Sequence, residues 1–157
     1  MANILIIDDQ PYIQELFSQE LMGEGYKVVS ACDAESAKAY LENSKPDLVL
    51  LDLFLNGFEG WNVLHEIKSK DPHLPVLIVT AYDTYVDDPR VSQADGYVVK
   101  SFVHFDELKH KIADILQWNK NDHCDITQKR KSARNLARLA QAGSQLKIDV
   151  REGQNDL

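Results

Sequence analysis

The chain has little from which to build a thiolate metal centre, a disulfide framework or a membrane anchor. Cys32 and Cys124 are its only cysteines in 157 residues, and they form neither a metal-ligand nor a redox spacing. His123 beside Cys124 offers two adjacent ligands with no second pair, which is weak ground for a metal. Two free thiols, and an N-terminus that runs straight into a buried-type strand, make the cytoplasm the expected compartment. No apolar stretch is long enough to span a bilayer. Positive charge is also scarce: 17 Lys and Arg stand against 25 Asp and Glu, a net charge of -8, which works against nucleic-acid binding by the whole chain. Internal repeats and low-complexity runs are absent, and the length suits one domain with a core and a tail.

The charge divides the chain. Residues 1–118 carry 20 acidic and 9 basic side chains, a net of -11, whereas residues 119–157 carry 5 and 8, a net of +3. Within the acidic part, apolar runs alternate with amphipathic ones. Ile4-Leu5-Ile6-Ile7 reads as a strand ending in Asp8-Asp9. Pro11 opens a helix with Ile13, Leu16, Phe17 and Leu21 at helical spacing, closed by Gly23 and Gly25. Tyr26–Ala31 is a short strand, and Asp33 caps a helix facing the sheet with Ala37, Tyr40 and Leu41. Leu48–Leu55, bounded by Pro46-Asp47 and Asn56-Gly57, reads as a strand buried on both faces, with Asp52 set into it. Trp61, Leu64 and Ile67 mark a third helix, and Leu74–Val79 a fourth strand ending in Thr80-Ala81. Pro89 predicts a short or broken fourth helix within 82–94. Tyr97–Lys100 is the fifth strand, and Phe105, Leu108, Ile112, Ile115 and Leu116 line the last helix. Five alternations of strand and helix predict an α/β fold, a doubly wound parallel sheet with helices on both faces.

The strand ends carry the chemistry. The first supplies Asp8 and Asp9, the third Asp52, the fourth Thr80 and the fifth Lys100. Asp52 alone also reads as a loop-start or capping aspartate, and its companions are what favour a site. Three converging carboxylates repel one another unless a cation joins them, and Mg²⁺, a hard ion that accepts a few carboxylates and keeps its waters, is the natural candidate. Lys100 offers a point charge for a phosphoryl oxygen and Thr80 a hydroxyl donor for another. Asp52 then becomes a carboxylate nucleophile forming an aspartyl phosphate.

These residues, in this order at these strand ends, resemble the receiver domain of two-component response regulators over roughly residues 2–118. The resemblance implies a flavodoxin-like (βα)5 sheet. It implies Asp52 as phosphoacceptor, charged by a sensor histidine kinase or a histidine phosphotransfer protein. It assigns Mg²⁺ to Asp8, Asp9, Asp52 and the backbone carbonyl of Phe54. It also makes Tyr97 the aromatic that turns inward as Thr80 moves toward the phosphoryl group. Such a protein is a switch rather than an enzyme with turnover, acting on an unknown protein target as a monomer or a phosphorylation-dependent dimer.

The chain departs from the family pattern in three places. Ser101 stands where a proline after a cis peptide is common, and a non-proline cis bond costs about 3–4 kcal/mol, so Lys100–Ser101 is expected to be trans. The stretch from Thr80 to Lys100 is shorter than usual and carries Pro89. Asn56-Gly57-Phe58-Glu59-Gly60 replaces a segment that more often holds proline and aspartate, though Gly60 is retained. Phe54 and Tyr82, each two residues past a site residue, are expected to overhang the site and slow attack by water.

Residues 119–127 read as a linker, and 128–142 as a basic amphipathic stretch with Arg130, Arg134 and Arg138 on one face and Ala133, Leu136, Ala137 and Ala140 on the other. The 39 residues after Trp118 are too few for a winged helix or an enzyme, so no separate effector domain is expected. The basic stretch fits a solvated tail, a docking helix or, least well, a DNA or membrane contact. Two other readings of the whole chain are a receiver-like module that binds partners without phosphorylation, and an aspartyl-phosphate phosphatase. The phosphatase wants a second acid where Phe54 stands. A flavodoxin-type electron carrier fits poorly, since Asp8 and Asp9 occupy the place of phosphate donors.

Overall fold

The computed structural model describes residues 1–57, 59–100 and 105–122. Ser101, the basic stretch 128–142 and the His123–Cys124 pair lie outside the described residues. The first of two compact units is Met1–Gln117. Five strands, β1 (Asn3–Ile7), β2 (Lys27–Ala31), β3 (Leu48–Leu51), β4 (Val76–Thr80) and β5 (Gly96–Val99), make one parallel sheet in the order β2-β1-β3-β4-β5. Helices α1 (Pro11–Gly23), α2 (Ala34–Asn43), α3 (Glu59–Lys70) and α4 (Asp106–Asp122) connect or follow them. No described helix is long and apolar enough to cross a membrane.

Burial on both faces follows from the period of two along each central strand. Ile4 and Ile6 of β1, Leu48 and Leu50 of β3, and Leu77 and Val79 of β4 join Ile13, Phe17 and Leu21 of α1 and Leu108, Ile112 and Leu116 of α4. The alternate residues, among them Leu5, Ile7, Val49, Leu51 and Ile78, pack with Ala37 of α2 and Trp61, Leu64 and Ile67 of α3. Local signals hold as read: Pro11 occupies the first turn of α1, and the Asp33 side chain accepts from the Ser36 N–H at 2.6 Å to cap α2.

The long apolar run is only half strand. β3 ends at Leu51, and Asp52-Leu53-Phe54-Leu55 is a buried connection rather than its continuation. Leu53 and Leu55 are fully covered because α3 folds back over them. The Gly60 N–H donates to the Leu53 carbonyl at 3.3 Å, and a Cβ on Gly60 would overlap the backbone of Asp52 and Leu53. The turn before α3 places Asn56 (φ 46°) and Gly57 (φ 94°) in left-handed conformations, which this residue pair tolerates.

The fourth helix is replaced by a 3-10 helix, Pro89–Gln93. Its Asp88 cap accepts from the Arg90 N–H at 2.9 Å and from the Arg90 guanidinium at 3.0 and 2.8 Å. Arg90 also stacks on the Trp61 ring of α3 at 4.1 Å, which fastens this segment to that helix. The Arg90 side chain first, and its backbone N–H second, hold the Asp88 carboxyl at about 2.

Gly60→Ala is expected to destabilise the protein by about 1–3 kcal/mol, read as a lower denaturant midpoint, because backbone rather than a side-chain tip must move. The Asp88 cap has a depressed folded pKa, so its contribution is present above the ordinary carboxylate value of 3.8 and disappears as pH falls through about 2. An NMR titration should show the Arg90 amide shifting in that acid range and not near pH 4.

Candidate functional site

The order β2-β1-β3 means that the chain leaves β1 toward one side of the sheet and β3 toward the other, opening a crevice between their C-terminal ends. Asp8 follows β1 and Asp52 follows β3 directly, and the Asp52 N–H donates to the Ile7 carbonyl at 3.0 Å. Side-chain oxygens of Asp8, Asp9 and Asp52 lie within 4.8 Å of one another. Asp8 and Asp52 are buried, at 2% and 5% exposure. Lys100 follows β5, and its Nζ donates to Asp8 at 2.7 Å and to Asp52 at 3.0 Å. The five residues expected at the strand ends therefore map as follows: four side chains meet, and Thr80 ends β4 beside them in sequence register, its carbonyl accepting the Lys100 N–H at 2.7 Å.

Burial disfavours charge on both partners of the Lys100–Asp8 bridge. It prevails for Asp8, whose carboxyl is raised above its ordinary value despite the lysine hydrogen bond. For Lys100 burial is also the largest influence, but the hydrogen bond to Asp8 and the charges of Asp52 and Asp8 together outweigh it and raise the ammonium. Two buried carboxylates and a third beside them share one buried ammonium, so the pocket retains unbalanced negative charge. That donor set of carboxylate oxygens fits Mg²⁺.

Each carboxylate is also oriented by backbone. The Gln10 N–H donates to Asp8 at 2.9 Å, the Phe54 N–H to Asp52 at 3.1 Å and the Asn56 N–H to Asp9 at 3.2 Å. Sequence reasoning did not foresee these donors, because they depend on how the loops after β1 and β3 turn. Thr80 is fully buried, and its hydroxyl has no hydrogen-bond partner among the described residues. A buried hydroxyl left unpaired is costly, which suits a group whose acceptor arrives with a ligand.

Tyr97 is half-buried in β5, and its hydroxyl donates to the Tyr82 carbonyl in the segment after β4. Phe54 and Tyr82, the two side chains expected to overhang the site, meet with ring centroids 5.0 Å apart. The Lys100–Ser101 peptide lies partly outside the described residues.

The response regulator receiver domain model matches residues 4–113. The probable transcriptional regulatory protein TcrX of Mycobacterium tuberculosis is 39% identical over 103 residues, 64% of this chain and 44% of TcrX. The virulence transcriptional regulatory protein PhoP of Salmonella typhimurium is 31% identical over 121 residues, 76% of this chain and 54% of PhoP. The chain thus spans about half the length of the curated relatives it matches. Among solved structures, the response regulator TrrA of Thermotoga maritima in complex with Mg²⁺-BeF is 41% identical, with TM-score 0.70, covering 73% of this chain and 99% of TrrA. TrrA has also been solved in complex with the histidine kinase ThkA, with 41% identity, TM-score 0.69, and coverage of 74% and 99%. The family match takes in well over half of the chain and coincides with the sheet that gathers the acidic pocket, so the protein belongs to the response regulator receiver domain family.

Proposed function

We propose that this protein is a phosphorylation-dependent switch in two-component signalling, with Asp52 as its phosphoacceptor. The observation that carries the reading is the buried Asp52 carboxylate, held by Lys100 at 3.0 Å and flanked by two further carboxylates. One Asp52 oxygen bonds to phosphorus as the phosphorus–nitrogen bond of a phosphohistidine breaks, and the electron pair of that bond stays on the imidazole nitrogen. The donor is a sensor histidine kinase or a phosphotransfer protein. Asp8, Asp9, Asp52 and the Phe54 carbonyl would hold Mg²⁺, which when bound neutralises charge on the phosphoryl oxygens. Lys100 and the Thr80 hydroxyl bind phosphoryl oxygens, which provides the acceptor that the buried hydroxyl lacks among the described residues. Movement of Thr80 toward the phosphoryl group then draws Tyr97 away from the Tyr82 carbonyl and alters the surface around β5.

Residues 1–118 form the receiver, and 119–157 a linker and basic tail. The protein is cytoplasmic and turns over no separate substrate; its output is binding to a protein target, as a monomer or a phosphorylation-dependent dimer. The net charge of -11 on residues 1–118 supports a protein rather than nucleic acid as the partner of the receiver itself. Phe54 and Tyr82 cover the site and hinder water, so the phosphorylated form is long-lived.

Intact mass after incubation with Mg²⁺ and acetyl phosphate should show one hydroxylamine-labile phosphoryl group on wild type and none on Asp52→Ala. Absence of the adduct on wild type, with a cognate kinase as well, would support a module that works without phosphorylation. Phe54→Asn should shorten the phospho-Asp52 lifetime several-fold; an unchanged decay rate would remove the shielding role. Mg²⁺ at tenfold excess over its dissociation constant should raise the melting temperature by roughly 5 °C. Because the folded Asp8 carboxyl is raised, the folded state holds its proton more tightly than the unfolded chain, and charge at Asp8 costs stability above the ordinary carboxylate range. Asp8→Asn is therefore expected to melt higher than wild type without Mg²⁺ at neutral pH, and to lose most of the Mg²⁺-dependent rise.

A further inference from the structure

We infer that Gln14 is a positioning residue for the acidic pocket: its side-chain amide pins the backbone that presents Asp8 and Asp9, and so sets the affinity of the pocket for a divalent cation. The inference rests on reading that pocket as a divalent-cation site. Gln14 lies one helical turn past Gln10, the residue that precedes α1, and the Gln10 side chain makes no capping bond. The Gln14 side chain turns back instead toward the ends of two strands. Its Nε2 donates to the Asp8 carbonyl at 2.5 Å and to the Ala31 carbonyl at 3.1 Å. Both partners are carbonyl oxygens, which only accept, so the amide nitrogen rather than its oxygen faces them, with one hydrogen for each.

The place of these two carbonyls in the sheet explains the effect. β1 and β2 end as a register pair, Ile7 opposite Ala31, and the Asp8 N–H donates to the Ala31 carbonyl at 3.1 Å. The Asp8 carbonyl lies one residue beyond the last paired position of β1, past the reach of the ladder. Gln14 supplies it a donor and ties it to the end of β2, while the Asp8 carboxylate points into the pocket to Lys100 at 2.7 Å. One ammonium among three carboxylates leaves the Asp8-Asp9 segment repelled by Asp52. Gln14 resists that splay from behind, keeping the ligand oxygens close before a cation arrives. Outer partners that orient metal ligands commonly contribute about 10–100-fold to affinity.

Titration calorimetry of Mg²⁺ into the full chain tests this with Gln14→Leu, which removes both donors, and Gln14→Arg, which restores N–H donors on a comparable stem. Gln14→Met serves as the donor-free variant should the leucine protein fail to fold, as judged by far-ultraviolet circular dichroism. A dissociation constant raised about tenfold in the donor-free variant and returned to within about twofold of wild type in Gln14→Arg is the expected result. A merely structural role would lower the melting temperature in EDTA and leave the Mg²⁺ affinity of the folded protein unchanged. Wild-type affinity in the donor-free variant overturns the inference, as does equal weakening in Gln14→Arg. Wild type that binds no Mg²⁺ overturns the cation reading and the inference together, which separates that failure from the others.

Discussion

Lys100 reaches from the end of β5 to carboxylates at the ends of β1 and β3, with its own side chain only 4% exposed. A buried ammonium needs close anions, and Lys100 finds two, while it offsets only part of the cost of burying both carboxylates. The bridge closes the sheet's C-terminal edge across 92 and 48 residues of sequence. It also leaves the pocket short of positive charge, which favours a further cation among the three carboxylates. A triad with balanced charge would be a structural feature. This one is unbalanced, with one ammonium against two buried carboxylates.

The backbone around the pocket is held from outside it. Gln14 ties Asp8 to β2, the Asn56 amide meets Asp9, and Gly60 lets α3 lie against the chain that carries Asp52. On the other flank, where a regular helix is missing, aromatic contacts substitute for helical packing. Phe54 meets Tyr82 at 5.0 Å, Tyr82 meets Tyr85 at 6.5 Å, and Tyr85 meets Trp61 at 6.4 Å. Arg90 covers the far side of the series on Trp61. These rings run from Phe54, two residues past Asp52, to α3, and Tyr97 joins them through the Tyr82 carbonyl.

Much of the fold and the core of the site were legible in the chain itself. Apolar runs at Ile4–Ile7 and Val76–Val79 are too short and too continuous for surface helices, so they specify buried strands. Asp33, Pro11 and Pro89 act on adjacent backbone, and their effects do not wait for distant contacts. The acids, Thr80 and Lys100 were visible because a parallel sheet brings strand ends to one edge whatever the intervening helices do. Two things misled or escaped that reading. Leu53 and Leu55 look like strand because periodicity reports burial, and a loop buried beneath α3 has the same composition. Gln14 looks like any polar residue on a helix surface, since its partner at Ala31 is 17 residues away.

The sequence by itself determined which segments would be buried, where helices start and break, and which charged groups the strand ends would carry. Those follow from local backbone chemistry and from the cost of leaving apolar side chains in water. Tertiary structure alone decided that β3 stops at Leu51, that three backbone amides orient the carboxylates, and that the Thr80 hydroxyl is left unpaired among the described residues. Those outcomes depend on ångström-scale placement of loops against strands distant in sequence, where a hydrogen bond is made or lost within a few tenths of an ångström. Composition and spacing carry no information at that scale.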